Sequence, residues 1–154
     1  MSYMIIGVVS MLAGLCSIDG YAHLGHNIAD SLNANFDLAH GHACALALPA
    51  VIEAVAPYSI DSTKRIGIAQ GLNFTGKESP QEIGAMVGDK YRELFRYCNL
   101  PSLKSLGITR EQVLSETVIN NCFLTELCIQ MFPAEKVTRE DMVWCLSKIY
   151  DAYQ

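Results

Sequence analysis

All four histidines of this chain, His23, His26, His40 and His42, fall between residues 23 and 42. His23, His26 and Asp30 are spaced by three and four residues. On a helix His26 and Asp30 share one face, and His23 lies one turn before His26. Imidazole and carboxylate together suit borderline divalent metals such as zinc or ferrous iron. His40 follows fourteen residues after His26, just past a turn, and Gly41 beside it lets the backbone approach closely. Helix, turn and second helix would bring His26 and His40 to one ion. Asp30 and His23 are possible extra ligands, one turn to either side of His26. His42 is the weakest candidate, because two positions from His40 along a helix is the wrong face. On spacing alone a second reading stands beside this one: a His/Asp pair four apart is a weak motif, and these are ordinary surface or core histidines.

Other chemistries find little support. Ser10, Ser17 and Ser31 are not set in GxSxG, so no hydrolase elbow is visible. Gly71, Gly76, Gly84 and Gly88 never make GxGxxG, and no βαβ pattern surrounds them, so the chain shows no means of holding a dinucleotide. Cys16, Cys44, Cys98, Cys122, Cys128 and Cys145 form no CxxC and have no basic neighbours in sequence to depress a thiol. They read as reduced, mostly buried thiols of a cytoplasmic protein. A net charge of -5 without any basic stripe argues against nucleic acid. Tyr91, Phe95, Tyr97 and Trp144 fit core or interface packing.

The elements that must position the histidines are helices. With 154 residues, half of them hydrophobic, the chain has material for one domain with a real core. No alternating strand pattern appears, and the expected fold is an all-α, multi-helix bundle. The run from Met4 to Ser17 is apolar on nearly all sides, so both its faces are expected to be covered. It is too short to span a bilayer, and no basic residue precedes it as a secretory signal would require. A second helix is expected over 21–33, then a polar turn at 33–35. A third follows over 42–55, with Pro49 expected to kink it. Asp61 is placed to cap a helix ending near Gly71. Ser79-Pro80-Gln81-Glu82 opens a helix to about Tyr97 by serine cap, proline and glutamate. Thr109–Gln112 opens one to about residue 126, and Thr138–Asp141 opens the last, to about Tyr150.

The stretch from Gly25 to Pro49 resembles the signature of the iron-containing alcohol dehydrogenases. In that signature a metal-binding histidine is followed after fourteen residues by another histidine and a glycine, then by small and apolar residues up to Leu-Pro. His26, His40-Gly41, Ala43, Ala45 and Leu48-Pro49 stand at those offsets. Upstream, Ala13-Gly14 is similar to the family's Ala-Gly pair. Downstream, residues 100–108 are similar to its "IP-SL-LGI" segment, and Thr138–Asp141 to the start of its last helix. The resemblance covers almost the whole chain. It implies the helical, metal-binding C-terminal domain of the iron-containing alcohol dehydrogenase and dehydroquinate synthase-like family, with His26 and His40 as metal ligands for Fe(II) or Zn(II). Two departures qualify it. The family's middle histidine, beside substrate and nicotinamide, is Asp30 here, which makes Asp30 the catalytic candidate while removing a proton shuttle suited to neutral pH. The family's remaining two ligands and its nucleotide-binding domain have no counterpart in these residues, so NAD(P) enters only if a partner or missing domain supplies the site.

The resemblance thus implies part of an NAD(P)-dependent alcohol/aldehyde oxidoreductase, incomplete and inactive alone. The alternative is a non-catalytic helical module that kept the fold and binds a metal, a ligand or a protein. In either case the apolar N-terminal helix needs cover, and a homo-oligomer or a partner chain is expected there, with no nucleic acid and no membrane.

Overall fold

A computed structural model describes residues 2–19, 23–124 and 137–153. The described residues are helical without a strand, as the sequence predicts. The eight α-helices among them are α1 (Ser2–Asp19), α2 (Leu24–Phe36), α3 (His40–Val55), α4 (Ile60–Ala69), α5 (Pro80–Tyr97), α6 (Arg110–Val113), α7 (Glu116–Asn121) and α8 (Arg139–Asp151). Short 3-10 turns over Ala56–Tyr58 and Lys104–Leu106 join α3 to α4 and precede α6.

Helix α3 is the central strut and packs against α2, α5 and α8. Its buried residues Ala43, Leu46, Ala47, Ala50 and Val51 are small or mid-sized, which lets three neighbours approach. It stays helical through Pro49, which is itself buried. Because α3 is apolar over much of its length, His40–Tyr58 is long and apolar enough to cross a membrane by length and composition. Here those residues form the middle of the bundle.

The α3–α5 contact is close because α5 presents glycine. A Cβ on Gly84 would come within 2.8 Å of the Ala56 Cβ, and one on Gly88 within 3.1 Å of the Pro49 carbonyl oxygen. Across the same contact Glu53, buried on α3, forms an ion pair with buried Arg92 of α5 at 2.5 Å and with Lys148 of α8 at 3.1 Å. Three core helices are therefore tied by one carboxylate.

The capping boxes at Ser79/Glu82, Thr109/Gln112 and Thr138/Asp141 all form. Some boundaries differ from the sequence reading. Helix α2 continues past the expected polar turn to Phe36, because Asp37 adopts the left-handed conformation (φ 52°) and closes the helix there. The helix opened by Thr109 stops at Val113, since Ser115 starts a new one by accepting from the Val118 N–H. Its expected end near residue 126, and the start expected at 21, lie outside the described residues. At α4 the expected cap is displaced: Ser59 holds the N-cap position without a side-chain cap bond, and Asp61 sits in the first turn.

The largest difference concerns α1. Its described side chains from Tyr3 to Leu15 are exposed, with Tyr3 at 90% and Met4 at 72%. The expectation that this helix has both faces covered is not met among the described residues. An apolar helix gains its stability from burial, and the described side chains of α1 present a continuous apolar surface to solvent.

Candidate metal centre

The α2–α3 hairpin builds the site. Leu24, Ile28, Ala29 and Leu32 bury one face of α2, which leaves His26 and Asp30 on the exposed edge. Two polar side chains on the buried side set the helix rotation. Asn27 donates its amide to the Cys122 carbonyl at 2.9 Å, and the Ser31 hydroxyl donates to the Val118 carbonyl at 2.7 Å. The Cys122 carbonyl lies just past the C-terminal end of α7, and the Val118 carbonyl, which also accepts the Cys122 N–H at 3.2 Å, takes the Ser31 hydroxyl as a second donor. The reversal into α3 is held by the Asp37 N–H on the Asn33 carbonyl at 2.9 Å and by the Asn33 side-chain amide donating to the Leu38 carbonyl. His40 thereby opens α3 directly opposite α2.

This arrangement brings His26 and His40 together, with ring centroids 5.3 Å apart and planes tilted by 46°. Cys44, one turn beyond His40 on the same face of α3, completes a group. One donor atom from each of His26, His40 and Cys44 lies within 4.8 Å of the other two. The Cys44 Sγ is 3.4 Å from His40 Nε2. The two histidines are exposed and the cysteine is half-buried. Burial, and secondarily the charge of Asp30, push the Cys44 thiol above its usual range.

Asp30 faces the other edge of the same imidazole. Its Oδ1 lies 3.4 Å from His40 Nδ1. It therefore stands outside the His26–His40–Cys44 group, on the ring nitrogen turned away from Cys44. His23 occupies the N-cap position of α2 and is likewise not one of the grouped residues; its carbonyl accepts the His26 N–H at 2.7 Å. His42 departs from the cluster: its Nε2–H donates to the Pro101 carbonyl at 2.7 Å, tying α3 to the loop after α5.

The donor set suits a transition metal. Two imidazoles and a thiol match the preferences of zinc and are compatible with ferrous iron, whereas calcium and magnesium seek oxygen. Sequence reasoning missed Cys44, Asn27 and Ser31. For Cys44 the signal is present in the sequence, since it follows His40 by four residues and so shares its helical face, a spacing that CxxC does not capture. For Asn27 and Ser31 the partners are 95 and 87 residues away, beyond any local pattern.

Compared with known proteins, the chain matches the model of the Fe-containing alcohol dehydrogenase family, C-terminal, over residues 4–150. No curated protein and no solved structure matches it significantly.

Proposed function

Because the chain belongs to the Fe-containing alcohol dehydrogenase family, spanning its C-terminal part, we propose that it is the metal-holding helical half of an oxidoreductase that interconverts alcohols and aldehydes. The observation that carries this reading is the meeting of His26 and His40. Fourteen residues apart in sequence, they face each other across the α2–α3 hairpin with ring centroids 5.3 Å apart. These are the residues that would hold Fe(II) or Zn(II). Such a metal, when bound, acts as a Lewis acid on the substrate oxygen and eases loss of its proton.

The chain's own part is to present imidazole nitrogens at a fixed spacing and to leave the outer side of the site open. The exposure of His26 and His40 supports a cleft whose second wall comes from another domain or polypeptide, which would also bring NAD(P). Asp30 Oδ1 lies 3.4 Å from His40 Nδ1, which leaves Nε2 as the ring nitrogen on the side of Cys44. Alone, the chain is expected to oxidise no alcohol with NAD(P).

A second reading has one observation in its favour. Asp30 stands where the family places a histidine next to substrate, and it is engaged with His40. A module that binds a metal or another protein without catalysis would tolerate that exchange. Metal analysis separates the two. Untagged protein, prepared anaerobically with Fe(II) or Zn(II) supplied, is expected to retain about one equivalent, lost in a His26→Ala, His40→Ala double variant. Protein that retains no metal beyond the level of that variant favours the non-catalytic module.

A further inference from the structure

We propose that Cys44 is a third protein ligand of this centre, and that Asp30 serves it from the outside as the carboxylate orienting His40. The inference rests on the metal-holding role of His26 and His40 and adds to it the sulfur and the outer partner.

Three observations converge. The first is distance. Ligands at about 2.0 Å (nitrogen) and about 2.3 Å (sulfur) from a tetrahedral zinc stand about 3.5 Å from each other. The separation of Cys44 Sγ from His40 Nε2 is 3.4 Å, the edge length of such a site. The second is the division of the His40 ring. Its two nitrogens point away from each other, one to Cys44 and one to Asp30. A carboxylate on one imidazole nitrogen and a metal on the other is the recurrent arrangement in which an outer group fixes the tautomer and raises ligand basicity. Asp30 on the far nitrogen is thus accounted for without entering the coordination sphere. The third is the scaffold. His40 and Cys44 are four apart on α3, and His26 comes from α2, whose rotation is pinned by Asn27 and Ser31. The donor atoms already lie within 4.8 Å of one another, and a tetrahedral site would draw them to edges of about 3.5 Å.

The chemical consequence concerns metal preference. A thiolate among two imidazoles moves the site toward zinc and cobalt and away from magnesium, calcium and manganese, which take oxygen. The set also contains three protein ligands, the number that leaves a position for an exchangeable fourth group.

The test is anaerobic titration of the 154-residue chain with Co(II), followed by absorption, with Zn(II) affinity measured by calorimetry. Wild-type protein should develop a sulfur-to-cobalt charge-transfer band in the near ultraviolet together with intense visible bands of a low-coordinate ion. Cys44→Ser should abolish the near-ultraviolet band and weaken zinc binding at least tenfold while the helical circular dichroism stays unchanged. Asp30→Asn should keep the band and lower zinc affinity about tenfold. Cobalt bound without a sulfur band, or a band that survives Cys44→Ser, overturns the assignment of Cys44 and leaves the two-histidine reading intact. Loss of the band in Asp30→Asn overturns the outer role of Asp30. Failure of the wild type to bind Co(II) or Zn(II) at all overturns both this inference and the function it rests on. Should Cys44→Ser not fold, X-ray absorption of the zinc-loaded wild type decides the point, by the presence or absence of a sulfur scatterer at about 2.3 Å.

Discussion

Cys44, Cys98, Cys122 and Cys145 are free thiols in different surroundings, and their differences are readable chemically. Cys98 is exposed at the end of α5, while Cys122 and Cys145 are buried in the main core. Desolvation pushes Cys122 up to about 11 and Cys145 up to about 12 from an ordinary 9.0. Native protein treated with a thiol-alkylating reagent at mildly alkaline pH is therefore expected to be modified at Cys98 well before Cys122 or Cys145; peptide mass mapping checks the order. The same shifts carry a pH dependence. The folded pKa is raised, so the unfolded chain ionises these thiols first. Stability is then fully present below about 9 and falls as pH rises from there toward 12. Denaturant midpoints measured on either side of pH 9 should decline on the alkaline side, and Cys145→Ala should blunt that decline. How much of the site could be read in advance also divides residue by residue. His26 and His40 were singled out by the resemblance of residues 25–49 to a known signature, since their spacing alone also fits ordinary histidines. The engagement of His42 with Pro101 and the placement of Asp30 behind His40 depend on side-chain directions that a linear pattern does not contain.

Among the elements, the α3–α5–α8 junction concentrates the risk. Glu53 is 8% exposed and compensates Arg92, itself 4% exposed. Removing one partner of a buried pair costs about 3–5 kcal/mol where the other charge is left alone; here Arg92 keeps Asp89 at 2.9 Å, so the loss falls below that range. Glu53→Gln is thus expected to lower thermal stability, and Arg92→Leu in that background to recover part of the loss; calorimetry on the two variants tests this. Helix starts were legible because caps are local: Ser79, Thr109 and Thr138 each meet a partner three residues on. Helix ends were less so. The left-handed Asp37 closes α2 and Ser115 restarts the chain as α7, and short-range propensity does not decide either boundary. The glycines of α5 showed no reason for their places until α3 was seen against them.

At the scale of the whole molecule, the outlying feature is α1. Ile5, Ile6, Val8, Val9, Met11, Leu12 and Leu15 are each about half exposed or more. Water around so many aliphatic side chains favours association, and the simplest closed form is a two-fold dimer. Sedimentation at micromolar concentration is expected to show a species larger than a monomer, and a double Ile6→Lys, Val9→Lys variant should return it to one; a wild-type monomer would count against this. The hairpin carrying the proposed metal centre has a different kind of dependence. His26 and Cys44 are eighteen positions apart, so the chain can bring them together early and cheaply in loop entropy. The orientation of α2 is another matter, because it waits on carbonyls at 118 and 122. Proximity of the ligands is thus a property of a short segment, whereas their aim belongs to the completed fold: an ion arriving during folding would meet the right residues before it met the right geometry.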